Sequence, residues 1–167
     1  MRYFIDTEFR EERGFLEMLT IGIVAEDGRE FYAIDDMAVD RARLNASGFV
    51  KDQVLPYVAE PMNIIPMRGS LLAIGEAVRA FVAAGGSKPC FWGWFADYDW
   101  VLFCWLQGRM VDLPTGWPQY CRDLKQLCDS LGNPRLPSQP KKHHALSDAR
   151  WIRAAYDWLV SQGGAKL

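Results

Sequence analysis

Apolar positions recur along this chain in two periods, and the switches between them predict its elements. The first apolar run, at 3–7, carries aromatic and β-branched residues that suit a strand. A polar stretch at 9–17, holding Gly14, reads as a loop. A second run fills 16–25 and ends in Glu26-Asp27-Gly28-Arg29, where Asp-Gly favours the positive φ of a tight hairpin turn. A third run occupies 30–34. Three sequential strands with a tight turn form an antiparallel meander.

The pattern at 35–66 is mixed, with helical patches at 40–45 and 49–58 and Pro56 and Pro61 as breakers. It fits a pair of short helices or an arm over the sheet. Over 70–84 the spacing is helical: Leu71, Ile74, Val78, Phe81 and Val82 share a face, and Gly85-Gly86 ends the element. The very apolar 88–94 predicts a strand at a buried sheet centre. Helices follow at 98–107, stopped by Gly108, and at 123–131, while 114–118 is a turn. The three prolines of 133–142 make that stretch a loop. The last helix, 146–160, puts Leu146, Ala149, Ile152, Tyr156, Leu159 and Val160 on one broad face. The order predicts an α/β fold. Its mixed central sheet combines the antiparallel first three strands with further parallel strands, flanked by helices. No repeat or linker interrupts it, so 1–162 is expected to be a single domain and 163–167 a frayed tail.

Composition adds exclusions. The 167 residues suffice for one buried core. A formal net charge of -2 supplies no global basic field, so a nucleic-acid partner would have to be held locally. Cys90, Cys104, Cys121 and Cys128 lack C-x-x-C spacing, which argues against a zinc ribbon and for reduced thiols in a cytoplasmic setting. Acids at Asp6 and Glu8 sit where a signal peptide needs an apolar stretch. The richest apolar segment, 90–106, is broken by Asp97 and Asp99, so no membrane span is expected.

Asp6 and Glu8 are two apart on the first strand, and residues i and i+2 point to the same face. Two carboxylates side by side raise each other's pKa unless a cation sits between them. Asp-x-Glu is also common wherever a strand runs into an acidic loop. Asp97 and Asp99 follow the buried strand where a helix begins, at the rim where α/β ligand sites open. Either could equally cap that helix. Asp148 lies in the first turn of the last helix, and His143 precedes it by five residues, in the loop. Together Asp6, Glu8, Asp99 and Asp148 offer the hard oxygen ligands that suit two divalent cations, Mg²⁺ or Mn²⁺, in phosphoryl transfer. A histidine can accept the proton of the attacking water.

These motifs resemble the DEDD superfamily of 3′-5′ exonucleases on the ribonuclease H-like fold. Phe4-Ile5-Asp6-Thr7-Glu8-Phe9 matches the first motif and the Asp99 segment the second. His143-His144-Ala145-Leu146-Ser147-Asp148 matches the third in the H-x4-D form of the DEDDh branch. The resemblance implies Asp6, Glu8, Asp99 and Asp148 as catalytic metal ligands and His143, not His144, as general base. It favours Asp99 over Asp97, because an apolar helix follows. Many relatives carry an Asn ahead of that Asp; the tract here is Trp94-Phe95-Ala96, which leaves open how the neighbouring helix is tied down. The tract from Trp94 to Trp100 and Asn133-Pro134-Arg135-Leu136-Pro137 look closest to the RNase AS group. That likeness implies hydrolysis of single-stranded, adenylate-rich RNA from its 3′ end, a nucleoside monophosphate product and a homodimer.

For substrate contacts, Phe9 is expected to stack on a terminal base. Arg10, Arg13, Arg135, Lys141 and Lys142 are candidates for phosphates, and the backbone at Thr7 and Glu8 for the last ribose. The same motifs also suit a DNA exonuclease of proofreading or repair type or a catalytically idle nucleic-acid-binding module. The H-x4-D ending disfavours a ribonuclease H or integrase-type endonuclease.

Overall fold

The computed structural model describes residues 1–139 and 143–163. Its centre is the meander of β1 (Arg2–Glu12), β2 (Phe15–Ala25) and β3 (Glu30–Asp35), paired antiparallel. Parallel strands extend it on both sides: β4 (Met67–Gly69) beside β3, β5 (Cys90–Gly93) beside β1, and β6 (Arg122–Asp123) beside β5. The sheet order is β4-β3-β2-β1-β5-β6, the mixed arrangement of a ribonuclease H-like α/β fold. Among the described residues five α-helices flank it: α1 (Asp36–Asn45), α2 (Leu71–Ala83), α3 (Asp97–Trp105), α4 (Leu124–Ser130) and α5 (Ala145–Ser161).

The alternation of β1 sets the layers. Phe4 enters a core with Trp92 and the α5 residues Leu146, Ala149, Ile152 and Tyr156. Its neighbours Tyr3 and Ile5 point the other way, into a core with Ile74, Val78, Leu102 and Phe103 of α2 and α3. Asp6 and Glu8 therefore share the α5 side of the strand with Phe4.

Three departures from the sequence reading have local causes. The loop expected at 9–17 is a β-ribbon: Phe9 pairs with Met18 and Glu12 with Phe15, leaving Arg13-Gly14 as the turn. Gly14 takes φ +75°, which glycine adopts without steric cost. Past the core the ribbon faces water, so pairing continues where hydrophobic periodicity has stopped. The register shifts between Glu8 and Phe9, a bulge that leaves Leu19 of β2 between the paired Met18 and Thr20. Strands β4 and β6 have three and two residues, too few to show a period. The ambiguous 35–66 holds both α1 and an arm. Asp35 caps α1 by accepting from the Ala38 N–H at 3.0 Å. A π-helical turn, Val50–Val54, begins the arm. Val54 and Val58 anchor it in the core, and the Tyr32 hydroxyl donates to the Val58 carbonyl at 2.7 Å.

Two contacts place the later motifs. A Cβ on Gly22 would lie 2.4 Å from the backbone of Ala145 and Leu146, so only glycine lets the start of α5 settle on β2. Gly22 pairs with Asp6, so this seat lies beside the first motif. Asp123 caps α4 through one carboxylate oxygen, and its other oxygen accepts from the Ala96 N–H at 2.9 Å. That bond ties down the start of α3, which the missing Asn had left open. All four cysteines are free thiols. Among the described residues no helix is long and apolar enough to cross a membrane. The expected frayed tail lies outside the described residues from 164 on.

Candidate active site

β1, the β5–α3 junction and the start of α5 converge on one cleft of about 740 Å³. Asp6, Glu8 and Asp148 each bring a carboxylate oxygen into a group whose members lie within 4.8 Å of one another. Asp99 joins from α3. Its Oδ1 accepts from the Thr7 N–H at 2.8 Å and the Thr7 hydroxyl at 2.5 Å. Asp97, in the same helical turn, is exposed and outside the cleft lining, whereas Asp99 is 6% exposed and lines the cleft.

Crowding these acids makes ionisation costly. Burial, then the charges of Asp99, Glu8 and Asp148, hold the Asp6 carboxyl well above the usual carboxylate range. Burial with Asp148 and Asp99 pushes Glu8 up to about 8. Burial raises Asp99 to about 6 against the opposing hydrogen bonds from Thr7. Asp148 is also raised by burial, opposed by the groups that bond it. Its Oδ1 accepts from Gln139 Nε2 at 2.6 Å and its Oδ2 from the His143 N–H at 2.9 Å. The fit to hard divalent cations follows from this donor set: carboxylate oxygens only, close together, each acid's pKa held up by burial.

The two histidines separate clearly. His143 lines the cleft with φ +64°, and its ring meets Phe49 edge to face at 4.7 Å. His144 is buried, stacked on Tyr32 at 4.6 Å.

A model of the 3′-5′ exoribonuclease Rv2179c-like domain matches residues 1–159. The chain belongs to this family. The 3′-5′ exoribonuclease Rv2179c of Mycobacterium tuberculosis (strain ATCC 25618 / H37Rv) is 40% identical over 152 residues, covering 90% of this chain and 88% of its own. The 3′-5′ exoribonuclease MT2234.1 of strain CDC 1551 / Oshkosh matches to the same extent. Membership in the Rv2179c-like family makes the chain an enzyme of the exonuclease class.

Within this Rv2179c-like cleft the expected substrate contacts divide. Phe9 lines it and packs on Tyr98 at 5.6 Å between centroids. Thr7 also lines it, and both of its donors face Asp99. Arg10 does not line the cleft: it pairs with Glu17 at 3.0 Å and Glu12 at 3.6 Å on the β1–β2 ribbon. The same cross-strand pairing that extends β1 consumes its charge. Arg13 and Arg135 are exposed away from the cleft lining. Lys141 and Lys142 lie outside the described residues. No Lys or Arg is among the described lining residues. Sequence reading missed Gln139, Phe49, Phe95 and Tyr98 as cleft residues. Phe95 and Tyr98 stood within the quoted second motif; Phe49 and Gln139 carried no periodic or motif signal.

Proposed function

We propose that the protein is a metal-dependent DEDDh-type 3′-5′ exoribonuclease that removes nucleoside 5′-monophosphates from single-stranded RNA. The observation that carries the reading is the convergence of Asp6, Glu8 and Asp148, with Asp99 beside them and His143 tied to Asp148. Asp6, Glu8, Asp99 and Asp148 would hold two divalent cations, Mg²⁺ or Mn²⁺. Such ions lower the pKa of an attacking water and stabilise a leaving oxygen.

The chain's own groups supply the rest. Thr7 fixes the Asp99 carboxylate, while Gln139 and the His143 backbone fix that of Asp148. The His143 imidazole, lining the cleft, accepts the proton of the water that attacks the terminal phosphorus. The bond from that phosphorus to the penultimate 3′ oxygen breaks, that oxygen takes a proton from solvent, and the shortened strand departs with a 3′ hydroxyl. Exposed aromatic rings at the cleft, Phe95 and Tyr98, offer stacking surfaces for bases. An adenylate preference and a homodimer are supported by the likeness of the Trp94–Trp100 and Asn133–Pro137 tracts to the RNase AS group.

The test is digestion of 5′-labelled single strands with Mg²⁺ or Mn²⁺: adenylate RNA, mixed RNA and matching DNA. A ladder shortening from the 3′ end, strongest on adenylate RNA, is the expected result. Equal ladders on DNA would move the function to a general exonuclease. No cleavage of any strand with metal bound would leave a binding module.

A further inference from the structure

Phe49 stands at the mouth of the cleft on a segment fixed from beneath. The following Val54 and Val58 are buried, and the Tyr32 hydroxyl holds the Val58 carbonyl. Phe49 itself is 57% exposed, so the core gains little from it. What its ring does touch is His143, edge to face, with centroids 4.7 Å apart and planes at 87°.

His143 needs such a contact. Its backbone is tethered by the N–H bond to Asp148 Oδ2 at 2.9 Å and sits in the left-handed region at φ +64°. Those features fix the main chain and do not themselves set the rotamer of the imidazole. Among the described residues no hydrogen bond holds the imidazole. A proton acceptor must stay within hydrogen-bond reach of the water it serves, so a free rotor spends part of its time out of place. We propose that Phe49 is a positioning residue for His143, walling one side of the imidazole so that it stays in the rotamer lining the cleft. The arm after α1 thereby reaches the chemistry without bonding substrate or metal. This inference rests on the reading of His143 as general base.

Steady-state kinetics of Phe49→Ala, Phe49→Leu and Phe49→Tyr on 5′-labelled adenylate RNA with Mn²⁺ provide the test. NMR of the imidazole protons accompanies them; the chain has only two histidines, and His143→Ala assigns them. Phe49→Ala should lower kcat about tenfold or more with KM nearly unchanged, as displacement of a catalytic group does. Phe49→Tyr should restore kcat, and Phe49→Leu should not. In Phe49→Ala the His143 resonances should shift while those of His144 stay. A rise in KM at constant kcat would overturn the proposal and make Phe49 a base-stacking residue. Unchanged His143 resonances in an active variant would overturn the positioning alone. A wild-type protein that binds metal yet degrades no RNA would instead remove the functional reading, and the catalytic half of this proposal with it.

Discussion

Glu8 keeps its proton up to about pH 8 in the metal-free protein because burial and the charges of Asp148 and Asp99 all oppose ionisation. Unfolded, the same carboxyl releases it near 4.5. Between those values the native state binds more protons than the unfolded state, so stability falls as pH rises. Asp99, raised to about 6, contributes in the same direction over the lower part of that window. We expect the urea midpoint in chelator to decline from about pH 4.5 to about pH 8, and Glu8→Gln to flatten the upper part of the decline. Mn²⁺ should counter it, because cation binding displaces those protons. For the proposed base, His143→Ala should reduce kcat by roughly 10²–10⁴. His144→Ala should instead lower the thermal midpoint, since that ring is buried on Tyr32. A kcat loss confined to His144→Ala would refute this assignment. That the acids and His143 share one cleft was expected from residue type, spacing and the likeness of the motifs. The contacts of Thr7 with Asp99, Gln139 with Asp148 and Phe49 with His143 were not, because they arise only when the chain folds.

Element placement depends on two small features. Gly22→Ala would drive a methyl into the backbone at Ala145 and Leu146 and lift α5 from β2. We expect a loss of about 1–3 kcal/mol by denaturant titration, from overpacking a tight contact. RNA cleavage should fall further than stability alone explains, because Asp148 retreats from Asp6 and Glu8. Asp123→Ala removes the α4 cap and the bond to the Ala96 N–H together. A loss of about 1–3 kcal/mol in the same titration is expected. Asp123→Asn, which keeps acceptors, should lose less. The helices α2 and α5 were readable because each buries a sustained apolar stripe. The β1–β2 ribbon was not, because its outer half pairs in solvent, and neither were the seat at Gly22 and the tie from Asp123, which join distant segments.

As a whole molecule, the protein gathers four acids from three separate regions of its sequence on one side of a mixed sheet, in a chain with a net charge of -2. Such a site is self-repelling, and its cleft shows no Lys or Arg among the described lining residues. We expect engagement of a polyanion there to depend on bound cations, as the proposed function holds. The fold class was legible from the order of elements and the resemblance of the motifs. The surface that would pair two copies was not, because exposed apolar residues carry no period that names a partner. Titration calorimetry with Mn²⁺ on wild type, Asp6→Asn and Asp148→Asn tests the central claim most directly. We predict binding to the wild type with proton release at pH 7, weakened about tenfold or more in each variant. A wild type that binds no Mn²⁺, or variants that bind it as tightly, would contradict the account.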